Sequence, residues 1–221
     1  MKKFSIALSF FAILYTGGAM AQDDDTDVRD PKAKKLLDQV SAETKKYKTI
    51  SAKFTYTLEN KSDDIKDSQD GDIRIKGDKY VLKIAGQEII YDGKYVWTYL
   101  KASDEVQKSI PDPDAMSPVD MFKSYEEGWK FKYIKKTTEN GISVDLIDLV
   151  PKDAGKNFSR VRLSIDAAKN HVVMARFFGK DGTYYTYELK EIKTDQEISD
   201  KVFSFDPAAH PGVDVIDLTD E

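Results

Sequence analysis

Cysteine is absent from this chain of 221 residues, and histidine occurs only twice. Without cysteine the protein can form no disulfide bond, no thiolate metal site and no lipid-modified cysteine anchor. The two histidines, His171 and His210, lie on distant segments, and their spacing predicts neither a shared metal site nor a catalytic pair. The sequence therefore gives no support to chemistry based on cysteine or histidine.

Motifs of nucleotide-binding and nucleophile-based enzymes are also missing. No G-x-S-x-G, P-loop or G-x-G-x-x-G string occurs. Asp112, Asp114 and Asp120 lie close together, but the segment lacks the glycine and closing glutamate of an EF-hand loop, so we interpret them as solvated loop residues. Paired carboxylates are uninformative in a chain with this many acids. We expect no enzymatic activity and no cofactor.

Positive charge does not dominate the chain, which has 34 basic and 39 acidic residues and a net charge of −5. A nucleic-acid interface needs a basic face that neutralises phosphates, so no nucleic-acid partner is expected. Charges are mixed along the sequence apart from the acidic run Asp23–Asp25.

Long apolar runs are scarce, and the one at residues 4–15 is too short to cross a bilayer about 30 Å thick. Lys2 and Lys3 precede it, and the A-x-A-type site Ala19-Met20-Ala21 follows it. This order is typical of a secretory signal peptide. The sequence predicts a cleaved signal peptide over 1–21, an acidic flexible leader over 22–30 and one domain over 31–221, exported and not embedded in a membrane.

A helix is predicted from Asp30-Pro31, because Asp is a good N-cap and Pro suits the first helical position. About 16 residues follow with an apolar stripe at helical spacing, which predicts that one side of the helix lies on an apolar surface. The stripe consists of Ala33, Leu36, Leu37, Val40, Thr44 and Tyr47.

Strand-like alternation begins at Ile50 and continues to the end of the chain, with turn signals such as Asp70-Gly71 and Asn140-Gly141 between the segments. Early strands include the alternating residues Phe54, Tyr56 and Leu58. About 10–11 antiparallel strands are predicted; the later ones are Phe131–Ile134, Ser143–Val150, Arg160–Ile165, Val172–Phe178, Thr183–Ile192 and Val202–Phe205. The fold class is mainly β (α+β), built on a single sheet.

A hairpin is predicted at Asp92-Gly93, since Gly tolerates the positive φ of a tight turn. On this interpretation Tyr91, Trp97 and Tyr99 form one aromatic surface. The segment between Pro111 and Trp129 interrupts the strands and is predicted to be a loop followed by a short helix. Such a long sheet must curl, and helices over its inner face would enclose a cavity.

The ordered segments resemble the LolA-type outer-membrane lipoprotein carriers over about residues 36–217. The segments are ISAKFTYTLE, GDIRIKGDKYVLKI, IIYDGKYVWTY, VDLIDLVPKD and KVFSFDPAAHPGVDVID. The most specific element is Asp92-Gly93 followed by Trp97 and Tyr99. The resemblance implies an incomplete (half) β-barrel with helices as a lid over its concave apolar face.

The resemblance also implies a periplasmic carrier that binds the acyl chains of lipoproteins and shuttles them from the inner to the outer membrane. Expected partners are lipidated proteins, an inner-membrane ABC lipoprotein-releasing transporter and an outer-membrane acceptor lipoprotein; a monomer is expected. The predicted cavity wall consists of Phe54, Tyr56, Ile73, Ile75, Tyr80, Leu82, Ile84, Ile89, Tyr91, Trp97 and Tyr99, with Trp97 the strongest candidate. The predicted lid consists of Leu36, Leu37 and Val40 together with Met116, Met121 and Phe122.

The chain departs from the family at the lid latch. Well-studied branches carry an Arg-Pro after the second strand, and the Arg latches to the lid, whereas this chain reads Ile75-Lys76-Gly77-Asp78. Lys76 could supply a positive charge there, but it lacks the planar five-donor fork of Arg, so lid control is expected to differ.

Three alternatives stay open at this point. Each wall residue could be ordinary core. The fold could serve a periplasmic lipid-sensing regulator, or a carrier of another lipid or pigment. Regulators of that type usually carry a second domain, and the end of the chain at Glu221 favours the carrier.

Overall fold

Twelve strands form one sheet in the part of the chain that the computed structural model describes, residues 30–112 and 128–219. One α-helix, α1 (Pro31–Thr44), precedes them. The strands are β1 (Thr49–Asn60), β2 (Ile65–Lys76), β3 (Lys79–Ile84), β4 (Gln87–Tyr91), β5 (Val96–Leu100), β6 (Glu105–Ser109), β7 (Trp129–Glu139), β8 (Ile142–Pro151), β9 (Phe158–Asp166), β10 (His171–Gly179), β11 (Thr183–Thr194) and β12 (Asp214–Asp217).

The strand order is β12-β6-β5-β4-β3-β2-β1-β11-β10-β9-β8-β7. The sheet is not closed into a barrel, and β12 and β7 are its two edges. All neighbouring pairs are antiparallel except β12 and β6, which run parallel from Asp214 opposite Glu105 to Asp217 opposite Lys108. The prediction of a single curled sheet with an open, half-barrel form is confirmed.

The C-terminal segment differs from the sequence prediction. Residues 202–205 do not form a strand: Asp200–Phe203 is a 3-10 helix, a second 3-10 helix spans Pro207–Ala209, and the last strand is β12. Residues 202–205 do not pair with a neighbouring strand, although Phe203 and Phe205 are spaced as in a strand. Phe203 and Phe205 instead pack onto the sheet from one side.

Helix α1 begins as predicted, with Asp30 as N-cap and Pro31 in its first turn. The Asp30 carboxylate accepts hydrogen bonds from the backbone N–H groups of Lys32 at 2.8 Å and Ala33 at 3.2 Å. The helix ends at Thr44 after 14 residues, slightly shorter than the predicted length of about 16. Its buried side chains include Leu37 and Val40, each of which contributes about 1.5–3 kcal/mol by leaving water.

Asp30 also joins α1 to the edge strand β7. Its backbone N–H donates to the Phe131 carbonyl at 3.2 Å, and its second carboxylate oxygen accepts from the Tyr133 N–H at 3.1 Å. The Lys32 ammonium lies 3.5 Å from the centre of the Tyr133 ring. Burial would raise the pKa of Asp30, but the hydrogen bonds that its carboxylate accepts from the backbone N–H groups of Ala33, Tyr133 and Lys32 hold it below its ordinary value. The N-terminal end of α1 is therefore fixed to the sheet.

One face of the sheet carries α1 and is called the concave face below; the other is the convex face. The concave face holds two apolar clusters. The first joins α1 to β7, β8, β9 and β10. The second lies on β1–β4 and β11. Register shifts in β1, β7 and β10 bend these strands, as expected of a sheet that curls.

The convex face carries a third apolar cluster, on β3–β6. Val81, Ile90 and Val106 form its buried centre, and Phe203 and Phe205 of the C-terminal segment cover it. We call residues 198–213, which lie over this cluster, the C-terminal strap. No helix within residues 30–112 and 128–219 is long and apolar enough to span a membrane. The same residues contain no His, Cys, Asp and Glu group suited to a metal ion.

Candidate functional site

Nine of the eleven predicted wall residues lie together on the concave face. Cross-strand pairs share a face, and the pairs Ile73–Leu82, Leu82–Ile89 and Tyr80–Tyr91 connect β2, β3 and β4. Four of the nine are buried, and five are partly exposed. The buried ones are Phe54, Ile73, Ile75 and Tyr80; the partly exposed ones are Tyr56, Leu82, Ile84, Ile89 and Tyr91.

Phe54 lies across Gly71, its partner on β2. A Cβ atom at Gly71 would come within 2.5 Å of the Phe54 ring and 2.8 Å of the Lys83 carbonyl oxygen, so no larger residue fits. The missing side chain lets the aromatic ring lie close to the sheet. Gly71 thus deepens this part of the concave face.

Five aromatic side chains form a row across the concave face, and the sequence analysis assigned only one of them, Tyr56, to the wall. The row runs from Trp129 through Phe158, Phe177 and Tyr187 to Tyr56. Successive ring centres are 5.9, 5.4, 6.0 and 5.1 Å apart. All five residues are partly exposed. We call this set the aromatic row.

The sequence contains a signal for part of the row. Tyr185 and Tyr187 alternate with polar residues within a predicted strand, but no face was assigned to that strand. Tyr187 faces Tyr56 on β1 and Ala175 on β10. Burial and the neighbouring Tyr56 and Tyr185 raise the pKa of Tyr187 to about 12. The middle of the row is consequently a low-dielectric surface.

Trp97 and Tyr99 do not lie on the concave face, and the predicted surface of Tyr91, Trp97 and Tyr99 is wrong. The loop between β4 and β5 contains four residues, so Tyr91 faces Val96 and Ile90 faces Trp97. Any even loop length has this effect, because odd-numbered residues of β4 then share a face with even-numbered residues of β5. Trp97 and Tyr99 therefore lie on the convex face.

On the convex face Trp97 contacts other residues of its own chain. Its indole N–H donates to the Asp92 carboxylate at 3.0 Å, and its ring stacks on Phe205 at 5.8 Å. Burial would raise the pKa of Asp92, but hydrogen bonds from Tyr95, Trp97 and Lys94 keep it low. Tyr99 packs against Phe205 as well, at 5.7 Å. Both aromatic residues hold the C-terminal strap.

Lys76, proposed from sequence as a lid latch, is bonded to the strap instead. Its ammonium donates to the Ile198 carbonyl at 3.0 Å and lies 3.0 Å from the Asp200 carboxylate. The hydrogen bond and positive charge of Lys76 lower the pKa of Asp200. This position therefore fastens the C-terminal segment.

Of the predicted lid residues, those on α1 lie over the sheet. Leu37 and Val40 are buried, and Leu36 is partly buried against the same cluster. Helix α1 contacts β7 and β10, so it covers the β7–β10 half of the concave face. Met116, Met121 and Phe122 lie outside the described residues.

A groove of about 640 Å³ lies beside these surfaces but differs from them in chemistry. Many of its lining side chains alternate with the apolar ones, among them Ser51, Lys53 and Lys193. Glu191 pairs with Lys53 at 3.6 Å and with Lys193 at 2.8 Å. Exposed pairs of this kind contribute little to stability, and we interpret the groove as a solvated surface.

The comparisons with known proteins agree with this architecture. Residues 45–206 match the family model described as outer membrane lipoprotein carrier protein LolA. The chain belongs to the LolA family. Among curated proteins no sequence match was found.

Three solved structures are similar to this chain at low identity. A conserved protein from Thermus thermophilus is 13% identical over 83% of this chain and 98% of its own, with a TM-score of 0.53. A LolA superfamily protein from Nitrosomonas europaea is 12% identical over 78% and 97%, with a TM-score of 0.44. The lipoprotein LppX from Mycobacterium tuberculosis is 15% identical over 77% and 98%, with a TM-score of 0.46.

Membership of the LolA family points to the binding of lipid or lipoprotein, and members of the superfamily are carriers or binding proteins. LolA family members are periplasmic. The site described above fits binding, since it offers apolar and aromatic surface and few polar groups.

Proposed function

We propose that this protein is a periplasmic carrier that holds the acyl chains of lipoproteins on its concave face and shuttles them from the inner to the outer membrane. The observation that supports this most is that the described residues cover this face only in part. Helix α1 lies over the β7–β10 half, whereas Leu82, Ile84, Ile89 and Tyr91 on β3 and β4 stay partly exposed.

The energetics favour such a role. Each buried CH₂ group of an acyl chain contributes about 0.8 kcal/mol, so a lipidated protein in water aggregates or inserts into a membrane unless its chains are shielded. A partly exposed apolar surface can shield them and still release them, because residues 30–112 and 128–219 do not seal it. The predicted signal peptide over 1–21 supports export.

Expected partners follow from this role: lipidated proteins as cargo, an ABC transporter of the inner membrane as their source, and an acceptor lipoprotein at the outer membrane. The chain itself would need no cofactor or nucleotide. It would act as a monomer, with one cargo-binding face per chain.

Depletion of the protein in its host tests the proposal. Inner and outer membranes are then separated, and lipoproteins in each are quantified by mass spectrometry. We expect lipoproteins of the outer membrane to accumulate in the inner membrane. Normal sorting after full depletion would contradict the proposal, and lipids that co-purify with the protein would then identify another cargo.

A further inference from the structure

The concave face has two chemically different zones. Under α1 the buried side chains are mainly aliphatic, for example Ile147, Leu163 and Ile165. The aromatic row lies beside them, and its side chains are partly exposed. The accessible concave surface is therefore rich in aromatic rings along the row, whereas on β3 and β4 it includes the aliphatic Leu82, Ile84 and Ile89.

The row has the dimensions of a lipid chain. It crosses the consecutive strands β7, β8, β9, β10, β11 and β1. The four ring-to-ring distances limit the separation of its two outermost ring centres to about 22 Å. Trp129 begins β7 and Phe158 begins β9, which places this part of the row at one end of the sheet. A chain entering from that end would meet ring after ring.

Aromatic rings recognise flat carbon better than they recognise saturated carbon. Any apolar chain gains free energy by losing contact with water, and aliphatic side chains would give that gain equally well. A ring pair adds about 0.5–1.5 kcal/mol beyond the area it buries, through stacked or edge-on contacts. Planar double-bonded carbon presents a π face to a ring, whereas a saturated chain offers only C–H groups.

We infer that the aromatic row is the part of the concave face that discriminates between cargo lipids, and that it favours lipids whose chains carry flat, unsaturated carbon. This inference rests on the proposed carrier function and specifies the chemistry of its ligand. With the ring-pair energy as the upper limit for such contacts, the row predicts that an unsaturated C18 chain binds more tightly than a saturated one, by at most about tenfold.

The two tryptophans of the chain locate the bound lipid. Trp129 is in the aromatic row, whereas Trp97 lies under the C-terminal strap on the convex face. The probe is 9,10-dibromostearic acid, whose bromine atoms quench indole fluorescence on contact. We expect quenching in the wild type, and its loss in Trp129→Phe, which keeps Trp97 as the single emitter. Equal quenching of the variant would overturn the location.

Competition measures the selectivity. Stearic acid and α-linolenic acid displace the fluorescent fatty acid cis-parinaric acid from the full protein, and the ratio of their affinities is recorded. Phe177→Leu removes one ring of the row, and we expect its ratio to fall towards one. Phe178→Leu is the matched control, since the neighbouring ring packs with Tyr184 and Arg160 outside the row.

The outcomes separate this inference from the carrier proposal. Binding of both acids with equal affinity overturns the selectivity and leaves the carrier intact. Binding that leaves Trp129 unquenched overturns the assignment of the row as the contact surface. Failure of every fatty acid to bind, with folding intact by circular dichroism, contradicts the carrier proposal itself.

Discussion

The sheet of this protein has two apolar faces that are covered in different ways. On the convex face the C-terminal strap covers the centre of the cluster, where Val106 is 0%, Phe203 1% and Ile90 4% exposed, and leaves Trp97 and Tyr99 at its edge partly exposed. On the concave face α1 covers one half, and side chains such as Ile89 and Tyr91 on the other half stay partly exposed. An apolar strand face alone therefore does not indicate a binding site; what matters is whether the chain covers it.

The two tryptophans show this difference most directly. Both belong to aromatic groups at the edge of an apolar cluster, and both carry a sequence signal for burial in a sheet. Trp97 is held by Asp92 and stacks on Phe205, so its contacts are with its own chain. Trp129 stacks on Phe158 on the concave face, away from the C-terminal strap. We interpret the first group as structural and the second as the ligand surface.

The largest expected effect comes from adjacent residues on β4 that face opposite ways. Ile90→Glu places a charge in the sealed convex cluster, where an unpaired charge is very costly, and we expect the protein not to fold. Ile89→Glu places the same charge on the partly exposed concave face. We expect this variant to fold and to lose fatty-acid binding by at least about tenfold.

The checks are circular dichroism and urea unfolding for stability, and cis-parinaric acid fluorescence for binding. Ile89→Leu serves as the control because it keeps the apolar volume. If Ile89→Glu unfolds as completely as Ile90→Glu, both faces are closed cores, and the distinction between them fails.

Much of the fold could be predicted from sequence because its signals are local. Asp30 and Pro31 mark the start of α1, and period-two alternation marks the strands. The alternation also places side chains correctly within one strand, as for Tyr80 and Leu82. Nine of the eleven predicted wall residues share a face for this reason.

The errors arise where the outcome depends on pairs of segments. The face of Trp97 depends on the number of residues in the β4–β5 loop, which the alternation within each strand does not reveal. Phe203 and Phe205 alternate like a strand, but their position is set by the apolar cluster they cover. The contact between Lys76 and Asp200 joins residues far apart in sequence, and no local pattern predicts it.

A smaller effect on stability is expected from the titration of Tyr187 on the concave face. Burial raises the pKa of Tyr187 to about 12, compared with an ordinary value of 10.0. The unfolded chain therefore loses this proton first, and stability falls as pH rises from about 10 to about 12. Ultraviolet difference spectra should show a tyrosine that titrates near pH 12 and is missing from Tyr187→Phe. Titration of Tyr187 with the exposed tyrosines would show that the row is fully solvated.

The smallest effect concerns the contact between Lys76 and the strap. Lys76→Ala removes the hydrogen bond to the Ile198 carbonyl and the ion pair with Asp200. Because this pair is exposed, we expect only a slight fall in the urea midpoint, and unchanged fatty-acid binding since the strap lies on the convex face. The lowered pKa of Asp200 means that the pair stabilises the protein at neutral pH and that this contribution is lost as pH falls through that pKa. Asp200→Asn should reproduce the fall in the urea midpoint. It should also remove the part of the pH dependence of stability that comes from the Asp200 carboxyl. If Lys76→Ala instead altered fatty-acid affinity severalfold, Lys76 would control the concave face after all, and the two faces would be coupled through the sheet.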